Sequence, residues 1–421
     1  DSLESLQLPR SSVDECVDYI VSELDKAQAE LPEWHDNAQD YARIQGAAIQ
    51  AIKSRVLLYA ASPLYNGNSD YANFKNSDGK QLISQQFDAE KWRRAAEAAK
   101  AVIEMGRFSL YREMPGGTPD PFLSYQNLFL TPWNEEVIFA RADNALALWE
   151  QHCTPRFGGG WSGVAVTQQQ VDAYRTENGK RINEDGSGYV ENGFSAEDKT
   201  YTRAGTYNMW VNREPRFYVS VAFNGSEWIN HDEGTKQIGL YLTGNTGKQG
   251  CYDFSRTGYL VRKNVHPNSN PRIGSYVRRP IILFRLGEFY LNYAEALNEY
   301  DPGNPEVLTY VNLIRERAGI PALPGGLSQA EMREQIRTER RVELAFECHR
   351  YFDTRRWKIA AETDGGPFYG MNIDAGTSLN DPEFYKRTVF ERRVFEQKHY
   401  FFPIPQFDID RNVNLVQNPG W

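Results

Sequence analysis

"RPIILFRLGEFYLNYAEALNEY" (residues 279–300), followed by "NPEVLTYVNLIRERAGIP" (304–321), decides the fold. The first segment reads as a strong helix and the second as its helical partner. Next comes "SQAEMREQIRTERRVELAFECHRYFDTRRWKIA" (328–360), which reads as one long amphipathic helix capped by Ser328. Three helical segments in a row predict a body of packed helices.

The same pattern stands at the other end of the chain. "SSVDECVDYIVSELDKAQAELP" (11–32) opens with a serine cap and carries Asp14 and Glu15 in its first turn. Val13, Val17, Ile20, Val21, Leu24 and Ala27 recur at helical spacing, and Pro32 stops the run. A second helix is expected in 43–68, ending near Pro63, and a third in 88–106, between the cap Asp88 and the closing Gly106. Ala95, Ala96 and Ala99 follow Trp92, while Ala47 and Ala51 precede Leu57, Leu58 and Tyr59. Large residues set against small ones allow close helix packing, loosely in the manner of tetratricopeptide pairs.

Between the helical blocks, the chain is rich in Gly, Asn, Pro, Thr and aromatics. "EEVIFARA" (135–142) and "GYLVRKNV" (258–265) read as short strands. "FGGGWSGVAVTQQQVDAY" (157–174) reads as a loop leading into a short helix. "EPRFYVSVAFNGSEW" (214–228) reads as a strand ending in a turn at Asn224-Gly225. The expected organisation is one domain in four parts: helical pairs over 1–110, a loop-rich, partly β insert over 111–275, helical pairs over 276–361, and a loop and tail over 362–421. The fold class is mostly α. Long loops inside a compact domain usually carry function.

Composition narrows the function. The 421 residues are 40% hydrophobic and 24% charged, with a net charge of -9. No basic run stands out, which argues against nucleic acid and against an electrostatic membrane anchor. No stretch approaches the roughly 20 apolar residues of a spanning helix. The four cysteines, at 16, 153, 251 and 348, form no CxxC pair and read as free, mostly buried thiols. Aromatics reach 13%, which suits a wet aromatic binding surface as well as a large core.

Seven stretches in order resemble the SusD/RagB family of outer-membrane nutrient-binding lipoproteins. They are "KSRVLLYAASPLYNG", "EKWRRAAEAAKAVIE", "NREPRFYVSVAFNG", "RPIILFRLGEFYLNYAEALNE", "VNLIRERAGIP", "IRTERRVELAFECHRYFDTRRW" and "FFPIPQFDIDRNVNLVQNPGW". The resemblance implies tetratricopeptide-like helix pairs carrying an irregular ligand face. It implies a place on the extracellular side of the outer membrane, held by a lipid anchor that these residues do not contain. It further implies a lid role on a SusC-like TonB-dependent transporter, and capture of oligosaccharides, or in some members peptides, without catalysis. By the same resemblance, the family's early N-terminal segment, which carries part of the usual ligand site, is expected to be missing from these 421 residues. The tail would pack back on the helical body through Phe401, Phe402, Ile404 and Phe407, with Trp421 as an anchor.

Sugars bind against aromatic faces, with amides, carboxylates and arginines taking hydroxyls. Trp149, Trp161 and Trp228 lie in the insert and are the candidate stacking residues. Asn224, Asn230, Asp232 and Arg156 are candidate hydroxyl partners. Each has a structural alternative, since a loop tryptophan packs its own loop about as often as it binds. Trp210, Trp92 and Trp357 read as core. Glu343 and Glu347 share a helix face and resemble a glycosidase pair, but Arg340 and Arg350 nearby favour an ion-pair network. "NEDGSGYVENGF" (183–194) has Phe194 where a calcium loop needs a glutamate, so a hairpin turn is the better reading. No cofactor is expected, with a looser calcium site left open. A peptide-binding lid protein, a tetratricopeptide scaffold and a glycoside hydrolase are the alternatives.

Overall fold

A computed structural model describes residues 7–142, 146–230 and 237–421. The chain opens with α1 (Val13–Glu30), α2 (Gly46–Ala61) and α3 (Ala89–Glu104). Ser12 caps α1 in a reciprocal box. Its hydroxyl accepts from the Glu15 amide, and the Glu15 carboxylate accepts from the Ser12 amide. Asp88 caps α3 as expected.

The insert begins with α4 (Pro121–Asn127), β1 (Val137–Arg141), α5 (Leu146–Cys153), α6 (Gln168–Ala173) and α7 (Pro215–Ser220). It continues with β2 (Val221–Ala222) and β3 (Leu260–Val261), which pair antiparallel. Then come β4 (Ile281–Arg285), α8 (Leu286–Tyr300), α9 (Pro305–Arg317), α10 (Gln329–Glu343), α11 (Arg350–Arg356) and α12 (Ala360–Thr363). A hairpin of β5 (Gly366–Gly370) and β6 (Thr388–Arg393) precedes the tail helix α13 (Gln406–Arg411). Among the described residues, no helix is long and apolar enough to cross a membrane.

Helices from both ends of the chain share one core. Leu57 and Leu58 of α2, Trp92, Ala95 and Ala99 of α3, Tyr293 and Leu297 of α8, Val311 of α9 and Ile336 of α10 are buried together. The alanines let α3 lie close against α2 and α8. The insert has its own core around Trp210, Phe217, Trp228 and Tyr259. Mostly helical architecture with a loop-rich, partly β insert is therefore what the chain adopts.

Three segments differ from the sequence reading. Residues 281–285 are strand, not helix, and pair antiparallel with β1. Their apolar run has no periodicity that separates a buried strand from a helix. Arg285 is extended (φ -141, ψ 153) and the helix begins only at Leu286. The long helix over 328–360 is broken after Glu343, where Phe346 and Cys348 take left-handed backbone (φ 63 and 65). In 214–228 the first half is the helix α7, opened by Pro215 at its first position, and only two residues are strand.

The tail packs back through fewer residues than expected. Phe401 sits edge-on to Tyr71 at 5.1 Å, while Phe402 and Phe407 are exposed. Trp421 does anchor, its indole donating to the carbonyls of Lys398 and Phe401. All four cysteines are free, but Cys153 alone is buried and Cys16 and Cys348 are exposed.

Candidate functional site

The segment after α5 runs back beside that helix. The amides of Trp161, Ser162 and Gly163 donate to the carbonyls of Gln151, Thr154 and His152. Glycine is required for this path. Gly159 has φ +83, and a Cβ there would lie 2.8 Å from the Arg272 backbone. A Cβ on Gly160 would lie 2.1 Å from the Thr154 carbonyl oxygen. The tight return leaves Trp161 projecting, 45% exposed, with His152 edge-on to its ring at 4.8 Å. Leu148 lies one turn before His152 on the same face of α5 and is also exposed.

Polar groups surround this platform. Gln151 donates to the Gly159 carbonyl (2.9 Å) and accepts from the Tyr276 hydroxyl. Arg156 donates to the carbonyls of Gly244 (3.4 Å) and Gly247 (3.2 Å), pinning the loop that presents the fully exposed Tyr252. Buried Glu150 on α5 pairs with Arg279 at 2.7 Å and accepts from the His266 amide at 2.9 Å. That fixes the loop over 266–279 against α5. Between this loop and the glycine turn lies a cleft of about 430 Å³ lined by Gly158, Ile229, Asn230 and residues 267–271. Among the described residues, its lining side chains are amides, a hydroxyl and apolar groups.

The structure brings Trp161, Arg156 and Asn230 to this one face, and moves the other expected residues elsewhere. Trp228 is 1% exposed and packs in the insert core, so its ring offers no face to a ligand. Trp149 lies on α5, half-buried, and its indole donates to the Lys263 carbonyl at 3.3 Å. Asn224 is buried, donating to the Tyr385 hydroxyl (2.9 Å) and accepting from the Leu240 amide (2.8 Å). Both of its polar ends serve the loop itself. Asn230 is mostly buried and donates to the Ser269 carbonyl at 2.8 Å, so it shapes the cleft wall. Asp232 lies outside the described residues. Sequence reasoning missed His152, Gln151, Tyr252 and Tyr276. The glycine run before Trp161 was their one signal, since it marks a close backbone pass.

Glu343 and Glu347 do not form a hydrolytic pair. Glu343 is fully buried and meets Arg285 (2.8 Å), Arg216 (2.9 Å) and Arg317. Glu347 meets Arg285 and Lys263, both at 2.7 Å. Burial alone would raise both carboxyl pKa values, but the surrounding cations outweigh it. Glu343 is held far below the ordinary range and Glu347 falls to about 2. Neither holds a proton to give to a leaving group. The network is an ion-pair network as expected, with different partners: Arg340 pairs with Asp353 at 2.8 Å, not with these glutamates. Among the described residues, no group of three or more His, Cys, Asp or Glu side chains is placed to hold a metal ion.

The model of the SusD family matches residues 135–421. The chain belongs to the SusD family. SusD-like protein P2 of Formosa agariphila is 35% identical over 150 residues, covering 33% of this chain and 26% of that protein. The alignment thus spans about a quarter of that relative's length. Among solved structures, this SusD-family chain superposes on the protein designated BT4246 with a TM-score of 0.84 at 28% identity, covering 98% of this chain and 79% of that one. A SusD-like carbohydrate-binding protein of Bacteroides fragilis shares the fold, with a TM-score of 0.69 at 22% identity over 99% of this chain and 74% of its own.

Proposed function

We propose that this chain captures oligosaccharides at the cell surface on the face around Trp161, and passes them to a SusC-like TonB-dependent transporter without breaking a bond. The single observation that carries the reading is the projecting Trp161, braced by His152, beside a cleft lined by amides. An aromatic face covers the apolar C–H patch of a sugar ring, and amides satisfy its hydroxyls. Membership of the SusD family supports the same class. A peptide would favour charged groups for its termini and side chains, and among the described residues the lining of the 430 Å³ cleft has none.

The extracellular outer-membrane location and the lid role follow from the family reading. In the lid reading, the face moves as one piece with the helical body, because the ion pairs around Glu343 join Arg216 of the insert to α9 and α10.

Calorimetric titration with a panel of plant, microbial and host polysaccharides tests the reading. Binding of one polysaccharide, weakened by Trp161→Ala with folding unchanged, supports it. Equal binding by Trp161→Ala and the parent chain removes this face as the site.

A further inference from the structure

A second and larger groove lies away from Trp161, between α10, α11, the β5–β6 hairpin and the tail, with a volume of about 1090 Å³. Its charges do not balance. Of its carboxylates, Asp364 is held by Arg355 at 3.0 Å and by the Thr354 hydroxyl, and Glu391 is held by Arg393 at 3.0 Å. Glu362 at the rim has no ion pair among the described residues.

Two guanidiniums lack a carboxylate partner. Arg341 donates only to neutral oxygens, the Gln170 side-chain carbonyl (3.0 Å) and the Gln169 backbone carbonyl (2.6 Å). Arg350 makes no hydrogen bond or ion pair among the described residues. The Nε of Arg355 is buried with no acceptor. Burial first, and the charge of Arg350 second, lower the pKa of Arg341, and burial lowers that of Arg350. Two part-buried guanidiniums on the wall of one groove, neither in direct contact with a carboxylate among the described residues, favour an anion there.

The rim is aromatic. Tyr351 and Phe402 are stacked, 6.3 Å apart at 21°. Phe402 is 72% exposed and Trp421 is 46% exposed. Nothing in the tail's own packing needs Phe402 outside, since Phe401 already pins that segment.

We propose that this groove is a binding site for an anionic saccharide, its carboxylate or sulfate taken by Arg341 and Arg350 and its ring laid on Phe402 and Trp421. Flat aromatic faces beside a bidentate-capable guanidinium pair match an acidic sugar better than a bare ion, which needs no platform. The site adds to the Trp161 face and does not depend on it.

The test is calorimetry of the whole chain with trigalacturonate and a chondroitin sulfate disaccharide, with cellotriose and hexaglutamate as controls. At least one acidic sugar is expected to bind, more weakly as salt rises. Arg350→Gln is expected to weaken it about tenfold or more, as loss of a charged hydrogen bond does. Phe402→Ala, an exposed position that leaves the fold intact, is expected to weaken it as well, and the titrations are repeated on Trp161→Ala, where binding at the Trp161 face no longer contributes and binding in the groove is expected to persist. Failure of both acidic sugars to bind overturns the proposal. So does equal binding of cellotriose by the Trp161→Ala variant, indifference to Arg350→Gln and Phe402→Ala, or tighter binding of hexaglutamate, which would assign the groove to acidic peptide.

Discussion

Arg285 and Glu343 face each other at 2.8 Å with neither side chain exposed by more than 2%. Arg285 stands at the end of β4 and Glu343 at the end of α10, so the pair ties the small sheet to the helical body. Arg216 from the insert reaches the same carboxylate at 2.9 Å. Removing one partner strands buried charge. Glu343→Gln is expected to cost about 3–5 kcal/mol, measured as a shift in the urea midpoint with the slope unchanged. A loss under about 1 kcal/mol would mean that water reaches the network.

Acid should unfold the protein in two stages. His349 is buried and its pKa is lowered to about 4, first by desolvation. The unfolded chain therefore binds a proton that the folded chain does not, and stability falls as pH drops from about 6.5 toward 4, on the order of 2–3 kcal/mol. Glu347, Glu288 and Asp353 are each lowered to about 2 by neighbouring cations. Their contribution is full above the unfolded values and is lost as pH falls from about 4.5 toward 2. Urea midpoints taken between pH 8 and pH 3 should show a gentle decline, then a steep one. His349→Gln should remove the first stage only.

Trp228→Ala is expected to cost about 3–5 kcal/mol in stability, as large core deletions do. Any loss of ligand binding should track unfolding and vanish at low temperature, where the variant is folded. A folded variant that has lost binding would place Trp228 in the site.

Gly160→Ala should uncouple the loop from α5, because the new methyl meets the Thr154 carbonyl. We expect about 1–3 kcal/mol of destabilisation, with sugar affinity lowered to the level of Trp161→Ala. The difference in emission between chains with and without Trp161→Phe, which isolates Trp161 from the other eight tryptophans, reports both effects, since the indole loses its edge contact with His152. An unchanged difference spectrum would show that the turn has room to spare.

Much of this fold is written in local pattern. Ser12, Asp88 and Ser328 cap their helices as their positions suggest, and the alanines around Trp92 pack where their spacing places them. What is hidden depends on contacts distant in the chain. Ile281–Phe284 is strand because Val137–Arg141 lies beside it, a fact absent from its own residues. The break at Phe346 and Cys348 carries no glycine or proline to mark it. In the site, Trp161 and Trp228 sit in similar glycine- and asparagine-rich surroundings, yet one is exposed and the other is core. A long loop buries some of its own aromatics to hold its shape, and sequence does not say which.

The Glu136 carboxylate accepts from the Tyr111 amide and from the guanidiniums of Arg285 and Arg317, residues 149 and 181 positions later in the chain. Its charge has no cationic partner until β4 supplies Arg285 and α9 supplies Arg317, and the circuit closes only when Glu343 arrives. Long-range closure of this kind is slow, because the intervening chain must be ordered first. On the ribosome, the first third of the protein can form its helices and still leave this glutamate in water. The ion pairs that hold the finished molecule together are therefore the last to be assembled, and a chain truncated before residue 343 would leave Arg285 and Arg317 to share the one carboxylate of Glu136, without the charge of Glu343.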